Sequence, residues 1–82
     1  MLSVKFNLTH NIHLYNIRFN ELNCKISDYK NICRISLEDC TGNIKIYNGK
    51  CSDIKIIQHV GNICITDIDI YNLTIKNCIF DN

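Results

Sequence analysis

The amino-acid sequence predicts an all-β protein, a short parallel β-solenoid of about four coils, and three observations carry that expectation. The chain repeats with a period of twenty residues, giving rows Val4–Asn23, Cys24–Asn43, Ile44–Asn62 (one residue short) and Ile63–Asn82. Each row opens apolar–polar–apolar, as Val4-Lys5-Phe6, Cys24-Lys25-Ile26, Ile44-Lys45-Ile46 and Ile63-Cys64-Ile65, and each closes on Asn. Composition points the same way: sixteen Ile and no Ala, a leading helix former, favour pleated, half-buried backbone over helix. Self-similarity at a fixed period is the mark of stacked repeats, each burying its apolar face on its neighbours.

Each element follows from local pattern. Apolar residues at 44 and 46, 54 and 56, 63 and 65, 68 and 70, and 73 and 75 alternate with period two, as strand residues do. Between these bursts stand clusters that bend the chain without building a helix: Tyr47-Asn48-Gly49-Lys50, Cys51-Ser52-Asp53, Val60-Gly61-Asn62, Tyr71-Asn72 and Lys76-Asn77. Twelve Asn supply residues that tolerate left-handed backbone at bends, since Gly numbers only three. An antiparallel sandwich or barrel would also use short strands with turns every 8–12 residues or so. It would not require the rows to match column by column, and a solenoid does.

Stacked with this period, the rows place Val4, Cys24, Ile44 and Ile63 in one inward column and Phe6, Ile26, Ile46 and Ile65 in another. Lys5, Lys25 and Lys45 fall in an outward column, and Asn23, Asn43, Asn62 and Asn82 form a ladder at a bend. Agreement weakens in the second half of each row. Ile54/Leu73 and Ile56/Ile75 align, whereas Arg34 and Ser36 take those places in row two unless a one-residue shift turns Ile35 and Leu37 inward. Row one is the least regular and reads as a coil or a cap.

With its period, inward Ile/Val/Cys columns and Asn ladder, the stretch 4–82 resembles the right-handed parallel β-helix group of pectate-lyase-like proteins and viral tail spikes. The likeness is one of architecture, without a shared motif. It implies stacked Asn side chains hydrogen-bonding along a bend. Enzymes of that group are much longer and carry an acidic cluster on one sheet face, which four coils can scarcely frame.

Size and composition set further expectations. Eighty-two residues make one domain, 1–82, near the lower limit for a hydrophobic core alone, with no room for a second domain. Nine basic and eight acidic residues are intermixed, which argues against a nucleic-acid-binding tail or an acidic mimic. No apolar run approaches about eighteen residues, and Met1–Asn7 lacks the apolar core of a secretory signal, so the expected location is cytoplasmic. Abundant Ile, Asn and Lys fit an AT-rich coding sequence, such as that of a virus or a low-GC bacterium. The six Cys (24, 33, 40, 51, 64, 78) contain no C-x-x-C. Cys24, and Cys40 in the column of Val60 and Ile79, read as small core hydrophobes, with disulfides or a metal as the alternatives.

Few residues suggest chemistry. Asp67 and Asp69 alternate in one burst, with Asp28 one coil removed, and a carboxylate pair on a sheet face can bind a cation or act on a glycoside. Outward strand positions are polar in any case. His10 and His13 lack a third ligand at metal spacing, and no G-x-S-x-G or phosphate loop occurs. The expectation is therefore a non-enzyme without cofactor or metal. The lysine column and Tyr15, Tyr29, Tyr47 and Tyr71 are candidate protein contacts, although Lys on outward strand positions also simply keeps a sheet soluble. The last row is the most apolar: Ile63, Ile65, Ile68, Ile70, Leu73, Ile75, Ile79 and Phe80 lead to no polar cap. The leading expectation is a small protein-binding module, a phage- or virus-encoded inhibitor masking a host protein, with end-to-end dimerisation or trimerisation. A self-assembling piece of a viral spike or array, and a carbohydrate-binding solenoid using Asp67 and Asp69, are the alternatives.

Overall fold

A computed structural model describes residues 3–8, 11–26 and 33–80 of the 82. Six strands follow in order: β1 (Ser3–Leu8), β2 (Ile12–Tyr15), β3 (Arg18–Ile26), β4 (Cys33–Glu38), β5 (Thr41–Ile57) and β6 (Ile63–Lys76). Every strand pairing is parallel: β1–β3–β5–β6 stack along one side, and β2–β4–β5–β6 along another. Parallel neighbours reached by a full circuit of chain make a β-solenoid, here of about three turns. The expected fold class is the observed one.

The register differs from a strict twenty-residue repeat. One column runs Val4, Leu22, Ile44, Ile63, and two positions along the register pairs Phe6 with Cys24, Cys24 with Ile46 and Ile46 with Ile65. Successive returns take eighteen residues from Val4 to Leu22, twenty-two from Leu22 to Ile44 and nineteen from Ile44 to Ile63. Cys24 and Ile26 therefore sit two positions away from their expected columns, and the boundary between the first two coils falls before Leu22, not after Asn23. The difference arises mainly at one corner. Five residues lead from Asn7 to Ile12 and ten from Lys25 to Ile35, against seven from Tyr47 to Ile54 and from Thr66 to Leu73. A corner can lengthen without moving strands, whereas each paired strand must stay in step with its neighbour. The shift that turns Ile35 and Leu37 inward does occur: Ile12/Ile35/Ile54/Leu73 and Leu14/Leu37/Ile56/Ile75 are columns.

Three corners use backbone of positive φ. Asn16, Asp39, Gln58 and Asn77 have φ of 54–55° and occupy equivalent positions in successive coils. Three amides at this corner donate to the coil above: Asn16 N–H to Glu38 O, Asp39 N–H to Ile57 O and Gln58 N–H to Lys76 O. Asn and Asp adopt this conformation more readily than other non-glycine residues, which accounts for three of the four. Asn48 (72°) and Asp67 (51°) repeat the device at a second corner. Gly42 (135°) and Gly61 (131°) serve a third, where a Cβ on Gly42 would collide with Phe19 and one on Gly61 with the Gly42 carbonyl. Inside lie Phe19, Leu22, Cys24, Ile26, Cys33, Ile35, Leu37, Cys40, Ile44, Ile46, Cys51, Ile54 and Ile56, all buried. Burying one such Ile fully stabilises the fold by roughly 1.5–3 kcal/mol.

Candidate protein-docking face

The inward columns do not stay buried to the top. Ile54 and Ile56 are 0% exposed, but their partners one coil on, Leu73 and Ile75, are 51% and 39% exposed. Ile63, Ile65 and Ile70 are half-buried where Ile44, Ile46 and Cys51 beneath them are fully covered, and Ile68, over Gly49, is half-buried too. Phe80 (54%) and, on the outer side, Ile79 (64%) extend the surface. The cause is simple: a column residue needs a coil on each side, and among the described residues nothing lies over β6. Together these side chains present an apolar patch on the order of a few hundred Å2, the size at which patches on soluble proteins mark interaction sites.

The lysines are arranged differently from the expected stripe. Lys5, Asn23, Lys45 and Cys64 share one column, while Lys25 stands between Asn7 and Tyr47, two positions along. Lys5 and Lys45 are thus two levels apart, roughly 10 Å, where exposed charges are largely screened at about 0.1 M salt. The short first corner, five residues from Asn7 to Ile12, carries Lys25 two positions past the column of Lys5, and the long second one, ten from Lys25 to Ile35, restores the register by Lys45. The Lys45 ammonium lies 5.3 Å from the centre of the Tyr47 ring, a contact worth roughly 0.5–1 kcal/mol at an exposed site. Tyr71 is fully outward and Tyr15 also exposed, in separate places on the coil.

The Asn ladder is shorter than expected. Asn43 and Asn62 are neighbours, with the Asn62 amide donating to Asn43 Oδ1 at 3.3 Å, but Glu21 holds the place below. Asp67 takes the left-handed corner and Asp69 faces Lys50 across the β5–β6 pair; both are exposed. Asp28, Tyr29, His10, Asp81 and Asn82 lie outside the described residues. A shallow cleft of about 330 Å3 on the outer wall is lined by Arg34, Ser36, Asp53, Lys55, Asn72 and Thr74, with Arg34 paired to Asp53 at 3.3 Å. His13 approaches Glu38 at 3.7 Å. Among the described residues no three His, Cys, Asp or Glu side chains cluster as metal ligands would, and no helix is long and apolar enough to cross a membrane.

One buried polar residue stands outside the candidates drawn from the sequence. His59 is 0% exposed, its Nε2–H donating to the Gly42 carbonyl at 2.7 Å and its ring stacked on Phe19. Nδ1 is buried without a hydrogen-bond partner. Burial lowers the His59 pKa below its usual 6.5, against the pull of the Gly42 and Cys40 carbonyls. The residue stands in an inward column with Cys40 and Cys78, and Thr41 instead of Cys40 pairs with Val60 and Ile79. Correct register would have shown His59 to face inward.

No disulfide joins the six cysteines; Cys24, Cys33, Cys40 and Cys51 are buried, Cys64 is exposed and Cys78 half-buried. Burial, with Cys51 nearby, pushes the Cys24 thiol up to about 12, and burial with Cys33 nearby pushes Cys51 up to about 11. Thiols held protonated in this way are poor nucleophiles and act as small core hydrophobes. Compared with protein-family models, curated proteins and solved structures, the chain gives no match, so the parallel β-solenoid is what stands of the expected resemblance, without the pectate-lyase-like or tail-spike type.

Proposed function

We propose that this protein is a non-enzymatic protein-binding module whose working surface is the open apolar face of its last coil. The observation that carries the reading is the step from Ile54 and Ile56, fully covered, to Leu73 and Ile75, uncovered in the same columns. An exposed strand edge beside apolar side chains offers both backbone hydrogen bonds and burial to a partner. The mixed surface charge supports a protein partner over nucleic acid. The narrower form of the proposal is a phage- or virus-encoded inhibitor that covers a surface of a host complex, supported only by the small size, the AT-rich composition and the docking face.

The test compares binding by the wild-type chain, by Leu73→Glu/Ile75→Glu and by Lys25→Glu, using the tagged protein and quantified co-purifying chains. The end-face variant is expected to lose its partner while Lys25→Glu retains it. Retention of every partner by the end-face variant would move the working surface to the outer wall.

A further inference from the structure

We propose that the chain stacks head to tail on copies of itself, the last coil of one protomer seating against the first coil of the next in the register its own coils use. This rests on the reading of the last coil as a docking face, and it names the occupant. The two end faces of a periodic stack carry the same columns. Ile63 ends the column that Val4 begins, Leu73 the column of Ile12, and Ile75 the column of Leu14. Val4, Ile12 and Leu14 are themselves only half-buried. Placing Val4, Ile12 and Leu14 of one copy over Ile63, Leu73 and Ile75 of another sets aliphatic side chains on aliphatic side chains, as each internal coil contact does.

The backbone is complementary in this orientation. At the Asn corner the amide of each coil donates upward, ending with Gln58 N–H to Lys76 O, so the equivalent Asn77 N–H points off the last coil. The matching acceptor on the first coil is Tyr15 O, the equivalent of Glu38 O, which accepts from Asn16 below it. Two residues further, donation runs downward: Thr41 N–H to Ile17 O, Val60 N–H to Cys40 O and Ile79 N–H to His59 O. Equivalence then sets Cys78 O against Arg18 N–H of the next copy. Tail-to-tail pairing would instead bring Asn77 N–H toward Asn77 N–H and Cys78 O toward Cys78 O wherever the corners met.

The area suffices. The longest extent, 32 Å, exceeds the rise of four levels at about 4.8 Å each, so it lies across the stack with one of the 24 and 22 Å extents. Each end face is then on the order of 600 Å2, and a stacked pair buries about 1,200 Å2, the lower bound for a specific interface. A head-to-tail contact of this kind does not close on itself, so it builds a series of lengths rather than one dimer.

Sedimentation of the wild-type chain, of Leu14→Glu (first coil blocked) and of Ile75→Glu (last coil blocked) tests the proposal. The wild type is expected to form a ladder of multiples of 9.5 kDa that grows with concentration. Each variant alone is expected to be monomeric, and an equimolar mixture to form dimers and nothing larger, because each supplies the face the other lacks. Self-association of Leu14→Glu alone would mean tail-to-tail pairing and overturn the proposal. A monomeric wild type at concentrations up to about 100 μM, well above micromolar affinity, would also overturn it. Retention of a different protein through Leu73 and Ile75 in that case would leave the docking-face reading standing, and its absence would remove both. Should Ile75→Glu lose its β-sheet circular dichroism, Leu73→Gln, at a side chain already half exposed, takes its place.

Discussion

The imidazole of His59 is stacked on the ring of Phe19, centroids 6.1 Å apart and planes 22° from parallel, although forty residues separate them in the chain. The contact exists because Gly42 lies between their coils and contributes no side chain: a Cβ there would strike the Phe19 ring and carbonyl. Phe19 fills the space that two later coils leave open with Gly42 and Gly61.

Gly42→Ala is therefore expected to destabilise the fold by about 2–4 kcal/mol, through left-handed strain at φ 135° and overpacking against Phe19. Urea unfolding followed by circular dichroism measures it. A change under about 0.5 kcal/mol, the range of neutral surface substitutions, would mean the corner repacks freely.

His59 gives stability a pH dependence whose sign is fixed. Its folded pKa is depressed below 6.5, so the unfolded chain binds the proton more readily. Stability is then complete above about pH 6.5 and declines as pH falls toward the folded pKa, by at most roughly 1.4 kcal/mol per pH unit. Melting temperatures between pH 7.5 and 5 should show this slope, and His59→Phe should flatten it whatever its absolute stability. An unchanged slope in the variant would assign the dependence to other groups.

Truncation at two levels of one column should report the exposure gradient. Ile56→Ala removes a fully buried side chain and is expected to destabilise by roughly 2–5 kcal/mol. Ile75→Ala, in the same column one coil on, is expected to cost less than half as much in the monomer. Equal losses would show that Ile75 is as well covered as Ile56.

Thiol reactivity should follow burial. Cys64 is expected to react with an aromatic disulfide reagent in the native protein, and Cys78 more slowly. Cys24 and Cys51, buried and with raised pKa values, should react only on unfolding. Rapid labelling of four or more thiols in the native state would contradict the packing.

The parallel coil stack and the core positions of the last two coils were legible in the residues, because Ile44/Ile63, Ile46/Ile65, Ile54/Leu73 and Ile56/Ile75 lie nineteen residues apart without interruption. The apolar character of the last row was legible too, and among the described residues its side chains are the uncovered ones. The lysine stripe and the full Asn ladder were not. A fixed period spreads length evenly, and the eighteen- and twenty-two-residue circuits cancel by the third coil, which hides the two-residue displacement of Lys25, Cys24 and Asn23.

Alternating Ile and polar residues at a constant interval pointed by themselves to parallel strands with their apolar sides inward, because stacked coils, unlike an antiparallel sandwich, require the rows to match column by column. Which residue stands over which was decided only by the tertiary structure. Corners absorb insertions without disturbing the ladder, so vertical neighbours such as Leu22 and Ile44, or Phe19 beside His59, depend on how much chain each corner takes up, and that length is set when the coils pack.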